Sequence, residues 1–128
     1  MSLSTPLHRV LGLGTAAGAA EHWWLQRLTA VALAVLGVWV AIEVVLLPDF
    51  SYGTVHAWVH RPYSAVMLIL FVLAVGYHSY LGVQVVIEDY VASKGAKVAS
   101  IMGSALAHTG LSIVAIFAIL RIAFGPSA

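Results

Sequence analysis

His78, Asp89 and Tyr90 lie in the stretch "GYHSYLGVQVVIEDYV", residues 76 to 91, which begins inside a long apolar run and ends in two acids and a phenol. An imidazole in such a run has no water to partner it, and an ionisable group in hydrocarbon is costly enough to be a functional candidate by default. The structural alternative is that His78 hydrogen-bonds a neighbouring helix. Gly82 is four residues on and faces the same way, removing bulk beside the ring, and Gly76 thins the turn before it. A flat macrocycle such as haem needs a clearing of this kind, and a neutral imidazole is a common ligand for its iron. Asp89 follows His78 by eleven residues, close to three full turns, so both project from one face about 16 Å apart along the axis. That face carries a buried ligand candidate and, near its end, a carboxylate beside a phenol, a pair suited to handling protons.

Two further groups bear on this constellation. "EHWWLQRLTAVAL" places His22, Gln26 and Arg27 at the boundary of an earlier apolar run. Arg27 has two partners open to it, Asp89 or an acidic group of a bound cofactor, because a guanidinium prefers planar carboxylates. Standing alone it reads as a topology anchor that snorkels to the headgroups. His108 sits nearly level with His78 in a third apolar run, so two axial ligands from one chain are conceivable, but "GSALAHTG" reads as a small-residue packing face with one polar contact, and packing is the favoured reading. His56 and His60 are four apart, a spacing that can share a metal, yet no third ligand accompanies them and two polar interfacial histidines are the ordinary reading.

These residues need elements to hold them, and the composition says which. Of the 128 residues, 62% are hydrophobic and 9% charged, and the mean hydropathy is +0.99. Soluble domains carry roughly 25% charged residues, so this chain has too few to cover a surface in water and belongs in a lipid bilayer. A net charge of +1 gives no basic stripe for nucleic acid. There is no cysteine, which removes disulfides and cysteine-held iron–sulfur clusters from this chain. The motif "GLGTAAG" precedes no strand, so it is not a nucleotide-binding fingerprint.

Crossing the hydrocarbon takes about 20 apolar residues in a helix, and lipid leaves backbone groups no other way to pair. The expected fold is all-α: three transmembrane helices over residues 28–47, 63–87 and 98–124, punctuated by Pro48, Pro62 and the polar "EDYVASKGAK". Residues 1–27 read as an interfacial arm, because Gly12, Gly14 and Gly18 interrupt its mildly apolar stretch. Residues 28–128 then form the membrane domain. Val55, Trp58 and Val59 at helical spacing predict a short surface helix in the first loop. Arg9, Arg27, Lys94 and Lys97 lie on one side of the three spans, and Arg61 and Arg121 on the other. This balance predicts a cytoplasmic N-terminus and a periplasmic C-terminus.

"HSYLGVQVVIEDYV" resembles the second-helix signature of the small membrane-anchor subunit of succinate dehydrogenase, respiratory complex II: a histidine, a glycine four later, and an Asp-Tyr pair eleven and twelve after the histidine, matched here by His78, Gly82, Asp89 and Tyr90. "WWLQRLTAVAL" resembles the first helix of the same family, particularly its alphaproteobacterial and mitochondrial-like branch. The resemblance implies an anchor that pairs with a second three-helix anchor chain. Together the two would seat an iron–sulfur protein and a flavoprotein on the inner face of the bacterial cytoplasmic membrane. It implies haem b between the two anchors, with one axial histidine from each: His78 would be this chain's ligand, with Gly82 beside it. His22 and Arg27 would lie on the haem propionate side. It also implies ubiquinone near the inner boundary, hydrogen-bonded by Tyr90 and served by Asp89. Succinate itself would be oxidised on another polypeptide.

Two alternatives stand beside it. One is a fumarate reductase anchor, since this chain does not set the direction of electron flow. The other is a small proton-coupled transporter or scaffold using His78, Asp89 and Arg27 as a relay. Transporters commonly show repeated or broken helices around a midplane site, and this chain has neither.

Overall fold

A computed structural model describes residues 13–126 of the chain, with side chains over 20–126. Among the described residues four helices follow one another: α1, Leu13–Leu46; α2, Tyr52–His60; α3, Pro62–Tyr90; and α4, Lys94–Ala123. Three segments, Ala20–Leu46 in α1 and the whole of α3 and α4, are long and apolar enough to cross a membrane. No strand occurs among the described residues, so the all-α, three-span architecture expected from the apolar runs is the observed one.

The punctuation residues set the boundaries. Pro48 bars its predecessor Leu47 from helical geometry, and α1 stops at Leu46. Pro62 stands at the first position of α3, where its missing N–H costs nothing. Ser51 caps α2, its hydroxyl accepting from the Thr54 amide at 3.4 Å.

Three boundaries differ from expectation. The first helix begins at Leu13 rather than 28, so residues 13–27 of the expected arm are helical, while residues 1–12 lie outside the described residues. Each interior glycine costs only about 1 kcal/mol, and the alanines and long side chains of "TAAGAAEHWWLQRL" are strong enough helix formers to carry the helix through. The second span continues to Tyr90, which puts Glu88, Asp89 and Tyr90 in its last turn. The third begins at Lys94 rather than 98.

α3 is the centre of the arrangement. It packs against α1 on one side and α4 on the other, while α2 lies across one end and touches both α3 and α4. Burial is correspondingly sparse: Leu36, Trp58, Val59, Ala65 and Leu81 are the buried hydrophobic residues among those described. Val45, Leu106, Leu111 and Phe124 stand with over 70% of their surface exposed. Apolar surface outward and little core inward is the pattern of a chain solvated by lipid and by other helices.

Gly76 brings α3 and α4 close. A methyl group there would overlap the Ser112 hydroxyl and reach the His108 carbonyl oxygen at 4.0 Å. The clearance expected beside His78 at this glycine is therefore used by α4.

Candidate functional site

His78 faces α1. Its Nδ1 lies 3.0 Å from the Thr29 hydroxyl, and its Nε2 lies 3.4 Å from the Gln26 side-chain nitrogen. The Thr29 hydroxyl also reaches back to the Leu25 carbonyl at 2.9 Å and to the Gln26 carbonyl at 3.1 Å. Such back-bonding is the habitual use of a threonine hydroxyl within a helix. Gly82 shares this interface, and a Cβ placed there would meet the Gln26 amide nitrogen at 3.9 Å. The glycine thus clears space on the His78 face, with Gln26 lying toward it.

The polar groups of this interface are incompletely satisfied. Gln26 Oε1 and His22 Nε2 are buried without a hydrogen-bond partner. His22, Gln26 and Thr29 recur at i, i+4 and i+7, a polar stripe along one face of an otherwise apolar helix. Leaving a buried donor or acceptor unpaired costs about 1–3 kcal/mol each, so these two atoms set the stripe apart from the satisfied polar contacts elsewhere in the bundle.

His108 provides the contrast. Its Nδ1–H donates to the Ser104 carbonyl one turn earlier at 2.8 Å, and its Nε2 accepts from the Ser79 hydroxyl of α3 at 3.1 Å. Both ring nitrogens are engaged at good distances, and the ring packs edge-on near Tyr80 with centroids 6.1 Å apart. This is a completed polar contact between α3 and α4, as the packing reading expects.

Arg27, Asp89 and Tyr90 are not brought to His78. The Arg27 guanidinium lies over the Trp23 ring, 5.4 Å from its centroid, a cation–π contact. No ion pair joins it to Asp89 among the described residues. Asp89 and Tyr90 are exposed at the end of α3, Tyr90 by 84%. Two acids at a helix C-terminus oppose the macrodipole, so helix stability does not explain them. The Lys97 ammonium offsets part of this by donating to the Glu88 carbonyl at 2.6 Å, and Gln84 donates to the Glu88 carboxylate at 2.7 Å.

At the far end, His60 Nδ1–H donates to the Ile122 carbonyl at 2.9 Å, tying α2 to α4. His56 is buried and stacks on His60, ring centroids 6.1 Å apart. Among the described residues no three histidines or acids gather to hold a metal ion. Sequence reasoning passed over two residues, one here and one at the α1–α3 interface. Glu43, inside the first span, accepts from the Trp58 indole at 3.0 Å; an acid in an apolar run was the signal. Thr29 was legible as the third member of the His22–Gln26 stripe.

The His78 side of a haem site fits these observations. The tautomer with hydrogen on Nδ1 lets Thr29 accept from it and leaves the Nε2 lone pair, opposed by one long amide contact, for a metal. The Gln26 amide lies 3.9 Å from a Cβ placed at Gly82, so a group bound at Nε2 would have to displace that side chain.

The three spans and the sparse core define a multi-pass membrane protein. Residues 1–119 match the family described as succinate dehydrogenase/fumarate reductase transmembrane subunit, and the chain belongs to that family. It is 30% identical over 125 residues to the succinate dehydrogenase hydrophobic membrane anchor subunit of Paracoccus denitrificans, covering 98% of this chain and 96% of that one. The protein of the same name from Rickettsia conorii (strain ATCC VR-613 / Malish 7) is 34% identical over 79 residues, 61% of this chain and 63% of its own length. The succinate dehydrogenase membrane anchor subunit of Reclinomonas americana is 31% identical over 83 residues, 62% of this chain and 69% of that one. No solved structure matches the chain.

Proposed function

We propose that this chain is the hydrophobic membrane anchor subunit of succinate dehydrogenase and contributes one histidine to a haem b site and one edge of a quinone-reduction site. The observation that carries the reading is the polar interface between α1 and α3, where the His78 ring meets Thr29 through Nδ1 and only the long Gln26 amide contact through Nε2, and where Gln26 Oε1 is buried without a partner. Membership of the transmembrane-subunit family and the names of its relatives support it. A partner anchor would supply the second axial ligand and cover exposed apolar surface of the bundle. The iron–sulfur and flavoprotein subunits would sit at the Tyr90 end, on the cytoplasmic side of the bacterial inner membrane.

Each residue has a role that its chemistry suits. His78 would hold the haem iron through Nε2, with His22 and Arg27 nearest its acidic edge. When bound, haem supplies a one-electron redox couple. Reducing ubiquinone to the quinol takes two electrons and two protons, the electrons arriving from the iron–sulfur protein. The Tyr90 hydroxyl donates a hydrogen bond to a quinone carbonyl, and the exposed Asp89 carboxylate exchanges protons with water to resupply the pocket. Both groups lie open in the single chain, so the partner proteins would close the pocket over them. The quinone pool and flavin potential set whether the complex runs as a fumarate reductase.

Tyr90→Phe tests the quinone assignment. In the assembled complex it is expected to slow quinone reduction about tenfold or more, the scale of one hydrogen bond lost from a reacting group. Succinate oxidation with a soluble artificial acceptor should be retained. Equal loss in both assays would place the damage in assembly and overturn the assignment.

A further inference from the structure

We propose that Thr29 is a positioning residue that fixes the His78 imidazole in the tautomer whose Nε2 lone pair is free for iron; the inference rests on the haem reading above. The hydroxyl of Thr29 has three neighbours within hydrogen-bond distance: the carbonyl oxygens of Leu25 and Gln26 at 2.9 and 3.1 Å, and His78 Nδ1 at 3.0 Å. A hydroxyl owns one hydrogen, and carbonyl oxygens only accept. When that hydrogen goes to the carbonyls, the oxygen can meet His78 only by accepting, so the ring hydrogen sits on Nδ1 and the lone pair on Nε2. Gln26 agrees with this arrangement, because its amide nitrogen, a donor, is the group facing Nε2.

The energetics favour the same arrangement. A ring nitrogen tied through its hydrogen to an oxygen acceptor makes the opposite nitrogen a stronger, better aimed ligand. Thr29 is itself held by its own helix and is β-branched, with few accessible rotamers, so it acts as a rigid stop for ring rotation. Gln26 is long and flexible, and its buried Oε1 is unpartnered, so it can withdraw from Nε2 without losing a second bond. The two residues three apart on α1 thus divide the work: one fixes the ring and one yields the metal-facing side.

The test compares Thr29→Val, which keeps the shape and deletes the hydroxyl, with Thr29→Ser, which keeps the hydroxyl, in the complete complex purified from membranes. Redox titration of the haem absorbance band and the haem-to-protein ratio are the readouts. Thr29→Val is expected to raise the haem midpoint potential, since losing the acceptor weakens the imidazole as a donor to ferric iron, and to lower the haem ratio; Thr29→Ser is expected to match the parent in both. Equal potentials and ratios in all three proteins, or equal displacement in both variants, would overturn the role of Thr29. If Thr29→Val retains no haem, the ratio decides: full haem in Thr29→Ser supports the inference and comparable loss in Thr29→Ser overturns it. His78→Ala separates the two levels, because a haem band surviving that change sinks the haem reading itself, whereas its loss beside a parental Thr29→Val sinks only the tautomer role.

Discussion

The Trp58 indole N–H donates to the Glu43 carboxylate at 3.0 Å, joining the short helix α2 to the first span. Trp39 packs beside it, 6.5 Å from the Trp58 ring and edge-on to Tyr63 at 5.7 Å. Trp58 is one of the few buried residues among those described, so the contact anchors α2 where the bundle has little other core.

A hydrogen bond to a charged group contributes about 1.5–3 kcal/mol. Glu43→Gln, which keeps an acceptor without the charge, is expected to lower the thermal midpoint of the purified protein less than Glu43→Leu does. In a cycle with Trp58→Phe the two losses should be non-additive. Fully additive losses would mean that the pair is uncoupled.

Gly76 offers a graded test of the α3–α4 interface. Alanine there meets the Ser112 hydroxyl, which can rotate away, so Gly76→Ala is expected to be mild. Gly76→Val adds bulk that the backbones cannot yield to, and overpacking costs typically about 1–3 kcal/mol. The unfolding midpoint should fall in that order, and Ser112→Ala should relieve the alanine variant.

Asp49, in the loop before α2, is exposed, and its carboxyl is pulled down to about 2 by hydrogen bonds from the Ser51 side chain, the Thr54 side chain and the Ser51 backbone, in that order. The Ser51 hydroxyl donates to it at 2.6 Å and the Ser51 amide at 2.9 Å. A depressed carboxyl stabilises the fold above its ordinary value of 3.8 and loses that contribution as pH falls toward 2. Amide protection at the first turn of α2, taken relative to the intrinsic exchange rate, should therefore fall across that window, and Asp49→Ala should remove that pH dependence. An unchanged profile in the variant would assign it to another group.

The three spans were legible because about 20 apolar residues in lipid have one way to pair their backbone. The shared face of His78 and Gly82 was legible from helical periodicity alone. The contact of His78 with Thr29 was not, because periodicity gives the face of one helix and not its register against another. α1 reaches back into the expected arm for a local reason: Gly14 and Gly18 look like breaks, but their cost is small against a run of strong helix formers. Arg27 stayed ambiguous because an exposed guanidinium chooses between Trp23 and a carboxylate by one rotamer. His108, flanked by small residues on its own helix, meets Ser79 of α3, the kind of polar contact its neighbours led one to expect.

The central claim is that His78 binds haem iron, and the most direct measurement is the reduced-minus-oxidised spectrum, with haem quantified as its pyridine complex, of the complex carrying His78→Ala beside one carrying His108→Gln. The b-type band is expected to be lost or shifted in the first and unchanged in the second. An unaltered band and haem content in His78→Ala would contradict it.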